Sequence, residues 1–250
     1  MKRTGIILTV MMLWLTWSPA AMSQDAVDID PEVEALIEDT RSLREAVLPT
    51  VALVTVLSLA PGILMMVTCF PFIAIIFSFL RQAMGLQTAP PAMMLTSLAI
   101  FLTYFIMEPV FADAWTVGIK PVLDGDVTEI EGTQAAMVPF RSFMEQRVSE
   151  DTLFRLADAI ERPVQDLQTA DFSLLVPSFM LSEITRAFQI GFAIFLPFLV
   201  IDLVVASILM AMGMMMVPPA VVALPFKLAF FVIADGWVKI VEALLRGYLQ

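Results

Sequence analysis

Between Ala187 and Val217, thirty-one consecutive residues carry a single charge, Asp202. As one straight helix that run is about 46 Å long, against a bilayer hydrocarbon core of about 30 Å. A chain with such a run must shelter it in lipid or against other protein. Other segments repeat the problem. Val47 to Leu80 contains no charged residue, and further apolar stretches cover Ala92–Phe111 and the region after Pro218-Pro219.

Composition agrees. Hydrophobic residues make up 59% of the chain and charged residues 16%, whereas soluble domains hold about 45–50% and about 25%. The net charge of −11 is unevenly spread: eight acids fall between Asp25 and Glu45 and twelve between Asp113 and Asp171. Apolar blocks therefore alternate with acidic ones. There is no basic block of the kind that binds nucleic acid. The chain has no histidine and one cysteine, Cys69. The commonest general base and zinc ligand are thus missing, an internal disulfide cannot form, and no metal-ligand spacing arises. No nucleophile–base pair or phosphate loop stands out, so an enzyme is the least favoured class, and no cofactor is expected.

The first residues read as an export signal. Lys2-Arg3 is a positive start, Gly5 to Trp14 an apolar core, and Ala21-Met22-Ser23 a small-x-small cleavage site. An uncleaved anchor is the alternative. The pattern divides the chain into five regions: a signal peptide (1–23), an acidic extension (24–46), a first apolar hairpin (47–111), an extracytoplasmic amphipathic region (112–172) and a second apolar hairpin (173–250). The expected fold is all-α, with membrane-associated helical hairpins giving four nominal transmembrane segments.

Local signals set finer expectations. Asp30-Pro31-Glu32 reads as a helix start. Prolines interrupt the first hairpin, with a break at Pro61, then a helix from Ile63 to Met84 kinked at Pro71. The next helix covers Ala92 to Phe111. Asp124-Gly125-Asp126 is a turn. Met137, Phe140, Phe143-Met144 and Val148 recur at helical spacing, and a second amphipathic run covers Asp151 to Glu161. These two helices read as surface helices packed by their apolar faces. A long apolar segment runs from Phe172 to Val217. The last helix is expected to kink at Leu224-Pro225.

A four-span topology places Arg81 at the first inner turn, but leaves Arg186, Lys239 and Arg246 on the wrong side of the charge rule. Glu183, Arg186, Asp202, Lys227 and Asp235 all sit in or beside apolar segments. An isolated charge at mid-bilayer costs about 2.5–3.5 kcal/mol, so these charges must pair or face water. Counted along two helices joined at Met212–Pro219, Lys227 and Asp202 are offset by about 8 Å. Lysine reaches that far, and pairing to a neighbouring subunit is equally open.

The string Leu209-Met210-Ala211-Met212-Gly213-Met214-Met215-Met216-Val217-Pro218-Pro219 places five methionines within seven residues. Methionine is unbranched and polarizable, and it repacks easily. A ring of such turns would make a deformable apolar collar, able to close around an unfolded chain.

Several ordered blocks resemble the FliP family of bacterial type III secretion. They include Ala187-Phe188-Gln189-Ile190-Gly191-Phe192, Pro197-Phe198-Leu199, Ile201-Asp202-Leu203-Val204-Val205-Ala206-Ser207, Leu224-Pro225-Phe226-Lys227 and Asp235-Gly236-Trp237. Leu80-Arg81-Gln82-Ala83 and Pro139-Phe140-Arg141-Ser142-Phe143-Met144 continue the likeness, which covers about Met65 to Leu245. At Cys69-Phe70-Pro71-Phe72 the chain departs from the family's pattern of Ser/Thr with a basic residue.

The resemblance implies a core subunit of the flagellar protein-export gate. It implies a homo-oligomeric, pentamer-like ring with FliR and FliQ, other export-apparatus proteins as neighbours, and unfolded flagellar subunits as cargo. The implied location is the bacterial inner membrane, at the flagellar basal body. Within that ring the hairpins are largely lifted out of the bilayer plane, which accounts for the overlong helix. Met210, Met212, Met214, Met215 and Met216 are the implied pore and gating residues. Glu183, Arg186, Asp202, Lys227 and Asp235 are the implied subunit-contact charges. A virulence-type secretion gate and an ion or solute transporter are the alternatives.

Overall fold

The computed structural model describes residues 47, 50–51, 54–55, 58–59, 62–86, 90–214 and 216–249. The signal segment, the acidic extension with its helix start at Asp30, Pro61 and Met215 lie outside the described residues. The chain divides into two units, Met1–Ser58 and Leu59–Gln250. In the first, the described residues are helical. The second holds the hydrophobic core and the helices that build it.

Every regular element among the described residues is helical. Those of the second unit are α1 (Phe70–Ala83), α2 (Ala92–Ala114), α3 (Lys120–Asp124), α4 (Glu129–Arg147), α5 (Glu150–Ala159), α6 (Phe172–Ala211), α7 (Pro219–Ile233) and α8 (Gly236–Leu249). The all-α expectation therefore holds.

α1 does not kink at Pro71. The chain turns at Val67–Cys69, and Pro71 lies in the first turn of a new helix. Proline is tolerated there because its missing N–H is one of the four that a helix start leaves unpaired. Thr68 Oγ1 accepts from the Phe70 N–H at 3.4 Å and so supports the turn.

α2 continues past Phe111, since Ala112-Asp113-Ala114 contains no breaker. At Trp115–Ile119 it widens into one π turn and runs on as α3, making a 33-residue rod from Ala92 to Asp124. The wider turn sits just ahead of Pro121, which has no N–H to donate. The Lys120 N–H bonds Trp115 O, which closes the π turn. The rod ends at Gly125, in the turn expected at Asp124-Gly125-Asp126 rather than at Phe111, and the Gly125 φ of +80° suits glycine.

α4 starts at a full capping box. Thr128 accepts from the Glu131 N–H, and Glu131 accepts from the Thr128 N–H. Both glycines that face this junction are sterically required. A Cβ at Gly132 would lie 2.0 Å from Val122 Cγ2, and one at Gly118 would lie 2.5 Å from Ala136 Cβ.

α6 is one unbroken helix of 40 residues that contains both Pro177 and Pro197. Its length is about 60 Å. The amphipathic helices α4 and α5 do pack by their apolar faces, burying Phe140, Met144, Leu153 and Ala157 in the main core with Phe72, Ile73 and Phe179. The irregular stretch between α5 and α6 is tied down by Arg141. Its Nη2 donates to Gln168 O and Ala170 O, each at 2.7 Å.

The last helix breaks at a different place from the one expected. Pro225 lies inside α7, whereas the chain bends by 58° at Ala234–Asp235, where Asp235 takes φ +51°. Pro225 falls in the second turn of α7, where little of the hydrogen-bond ladder precedes it.

Two helical runs are long and apolar enough to cross a membrane, Ala92–Asp124 and Phe172–Ala211, with the bent α7–α8 pair as a third candidate. α1 has 14 residues, about 21 Å, and is short for a span. The described residues therefore supply two or three candidate spans where four segments are expected from sequence.

Candidate functional site

Glu183 lies a third of the way along α6, and its side chain is fully buried. A buried carboxylate needs compensating partners, and three converge on it. Arg186 Nη1, one turn later, donates to Glu183 Oε1 at 2.8 Å. Arg147 Nε, from the end of α4, donates to the same oxygen at 3.2 Å. The Tyr248 hydroxyl, from α8, donates to Oε2.

The partners are themselves interlocked. Arg186 Nη2 donates to Arg147 O at 3.0 Å, satisfying a carbonyl that the end of α4 leaves unpaired. Arg147 Nη1 donates to Gly247 O at 2.9 Å, and its guanidinium lies 3.9 Å from the Tyr248 ring centre. Ser182 Oγ accepts from the Ser149 N–H at 2.9 Å, which anchors the start of α5 to α6. One carboxylate thus gathers α4, α6 and α8, and the neighbouring Ser182 adds α5.

Sequence reasoning found Glu183 and Arg186 but missed Arg147 and Tyr248. Arg147 is one of several charged residues interleaved along an amphipathic helix, and nothing local sets it apart. Tyr248 is one of two tyrosines in the chain and stands sixty-five residues from its partner, with no local signal of the contact.

A second cluster joins the other hairpin. Lys227 of α7 reaches Asp202 Oδ2 of α6 at 2.6 Å, and its Nζ also donates to Ala83 O at 3.1 Å. The pairing left open by the sequence is therefore made within the chain. The ammonium also sits at the C-terminus of α1, where the helix dipole favours a cation. Lys227 is buried, while the Asp202 side chain is 39% exposed. Asp202 Oδ1 is buried with no hydrogen-bond partner among the described residues. Asp235 is exposed, and what the structure shows for it is the left-handed backbone at the α7–α8 bend.

The methionine turn has a definite cause. The Gly213 N–H bonds Met210 O at 3.0 Å and the Met214 N–H bonds Leu209 O at 2.9 Å. Gly213 takes φ +74°. This is a Schellman termination, which glycine permits because it lacks a Cβ. Pro218 then precedes α7, with Pro219 in its first turn. Met210, Met212, Met214 and Met216 are 59%, 67%, 41% and 98% exposed. Beside the turn, α6 and α7 enclose an apolar groove of about 560 Å³ whose lining includes Val204, Ile208, Met212, Met214 and Phe226.

Comparison with known proteins matches this sequence to one family. The sequence model of the FliP family matches residues 53–244. The Flagellar biosynthetic protein FliP of Agrobacterium fabrum is 49% identical over 205 residues, covering 81% of this chain and 84% of that protein. The Caulobacter vibrioides protein of the same name is 44% identical over 251 residues, covering 99% and 92%. The Bacillus subtilis one is 44% identical over 198 residues, covering 78% and 89%. With both a family match over most of its length and relatives at this identity, the chain belongs to the FliP family.

Proposed function

We propose that this chain is a core subunit of the flagellar type III protein-export gate, passing unfolded flagellar subunits across the bacterial inner membrane at the basal body. Relatives named for flagellar biosynthesis favour this branch over a virulence-type gate. The observation that carries the gate reading is the methionine turn. Apolar side chains that a folded monomer would bury stand exposed at the tip of the hairpin formed by α6 and α7. In a pentamer-like ring with FliR and FliQ, Met210, Met212 and Met214 to Met216 of each copy form a deformable collar around the pore.

The charges have a matching use. Lys227 takes one oxygen of Asp202 inside the chain, and the partly exposed side chain of Asp202 leaves this pair within reach of a donor on a neighbouring copy. Glu183 and Arg186 hold together the elements that shape each subunit's contact face.

The collar is tested by replacing Met212, Met214, Met215 and Met216 with alanine and recording ion conductance of reconstituted complexes. Conductance is expected to rise as the collar opens. Unchanged conductance and unchanged secretion would remove the methionine turn from the pore.

A further inference from the structure

Among α1, α6 and α8 lies a cavity of about 440 Å³ that is separate from the methionine turn. One part of its lining is apolar: Phe72, Ile76, Ile190, Ile194 and Leu244. The other part is cationic: Arg147, Arg186 and Lys239. No acid lines it. This is an unexpected place for positive charge in a chain of net charge −11.

The charges do not balance internally. Arg147 and Arg186 share one carboxylate, Glu183. Lys239 is exposed and has no ion-pair partner among the described residues. Three cations therefore face one buried anion. Arg186 has five N–H donors, and its two hydrogen bonds within the chain leave others to spare.

A cavity with an apolar wall and surplus positive charge suits a molecule with a tail and an anionic head. Its surroundings narrow the choice. α7 and α8 together, bent by 58° between them, make a candidate span, and α8 opens just after that bend with Trp237 and Lys239. Tryptophan and lysine are residues that the membrane interface favours.

We propose that this cavity binds an anionic phospholipid. Arg147, Arg186 and Lys239 hold its phosphate, and an acyl chain lies along Ile190, Ile194 and Leu244. A zwitterionic lipid carries the same phosphate, but its ammonium meets the same three cations, so lipid charge discriminates. The site rests on the chain's residence in a membrane, which sedimentation with the membrane fraction checks independently.

The test uses the full chain in its native complex, exchanged into detergent with equal amounts of phosphatidylglycerol and phosphatidylcholine, with retained lipid counted by native mass spectrometry. Retention should favour phosphatidylglycerol by about fivefold for each basic residue engaged. Lys239→Glu should lower the preference by about 25-fold, and Lys239→Arg should keep it. Ala243→Phe, which fills the cavity without changing charge, should lower retention of the lipid. Equal retention of the two lipids would overturn the site, as would a Lys239→Glu protein that keeps the full preference. Displacement of the lipid by a neighbouring copy's acidic side chain would show as loss of binding only in the assembled ring, and would also overturn it. Inorganic phosphate binding as well as phosphatidylglycerol does, unaffected by Ala243→Phe, would assign the cavity to a free anion instead.

Discussion

Glu183 and Tyr248 stand sixty-five residues apart and meet through one hydrogen bond, which closes the C-terminal helix onto the middle of the fold. Because Glu183 is fully buried, the cost of disturbing this contact depends on which side is cut. Glu183→Ala strands Arg147 and part-buried Arg186 and should destabilise by about 3–5 kcal/mol. Tyr248→Phe removes one hydrogen bond to a charged group and should cost about 1.5–3 kcal/mol. Thermal unfolding in detergent reads both, and equal losses would contradict the hub role of Glu183.

The Lys227–Asp202 pair should behave as a unit. Lys227→Met leaves Asp202 without its cation beside apolar residues. The loss should be about 2 kcal/mol, below the about 3–5 kcal/mol of a fully buried pair, because Asp202 is partly exposed. Adding Asp202→Leu should recover most of it. A double-mutant cycle with no coupling would show that the ion pair contributes nothing.

Gly191 of α6 packs directly against Phe79 of α1. A Cβ there would lie 2.4 Å from Phe79 Cδ2 and 3.1 Å from Phe79 Cβ. Gly191→Val should therefore push the helices apart, at about 1–3 kcal/mol. Gly191→Val paired with Phe79→Ala should restore stability. Failure of that rescue, measured as unfolding midpoint, would place the strain elsewhere.

The start of α4 should loosen in acid. Hydrogen bonds from the Thr128 N–H and hydroxyl hold the Glu131 carboxyl below its ordinary value of 4.5. A depressed carboxyl stabilises the fold fully above that value and loses its contribution as pH falls through the lowered one. Protection of the amides in the first turn of α4 should fall as pH drops below 4.5, and Thr128→Val, which removes the hydroxyl but keeps the N–H, should weaken the dependence. Protection that is flat down to pH 2 would contradict the capping assignment.

Much of the fold was legible because its signals are local. Apolar length foretold α6, the glycine of Asp124-Gly125-Asp126 foretold the end of α3, and helical spacing foretold the buried faces of α4 and α5. Proline was the weak guide. Pro71 and Pro225 were expected to kink helices, yet one occupies a first turn and the other a second turn, where few hydrogen bonds are forfeited. The real bend, at Asp235, takes a left-handed non-glycine residue, and the Asp235-Gly236 pair there is a turn signal that Pro225 overshadowed. In the site, the acids and bases inside apolar runs stood out by cost alone. Arg147 and Tyr248 did not, because only the tertiary fold brings them to Glu183.

Flagellar protein secretion by cells lacking this gene tests the central claim most directly. Filament and hook subunits should accumulate inside the cell and vanish from the culture medium, and the full-length gene should restore their release. Normal amounts of these subunits in the medium of the deletion strain would contradict a role in the export gate.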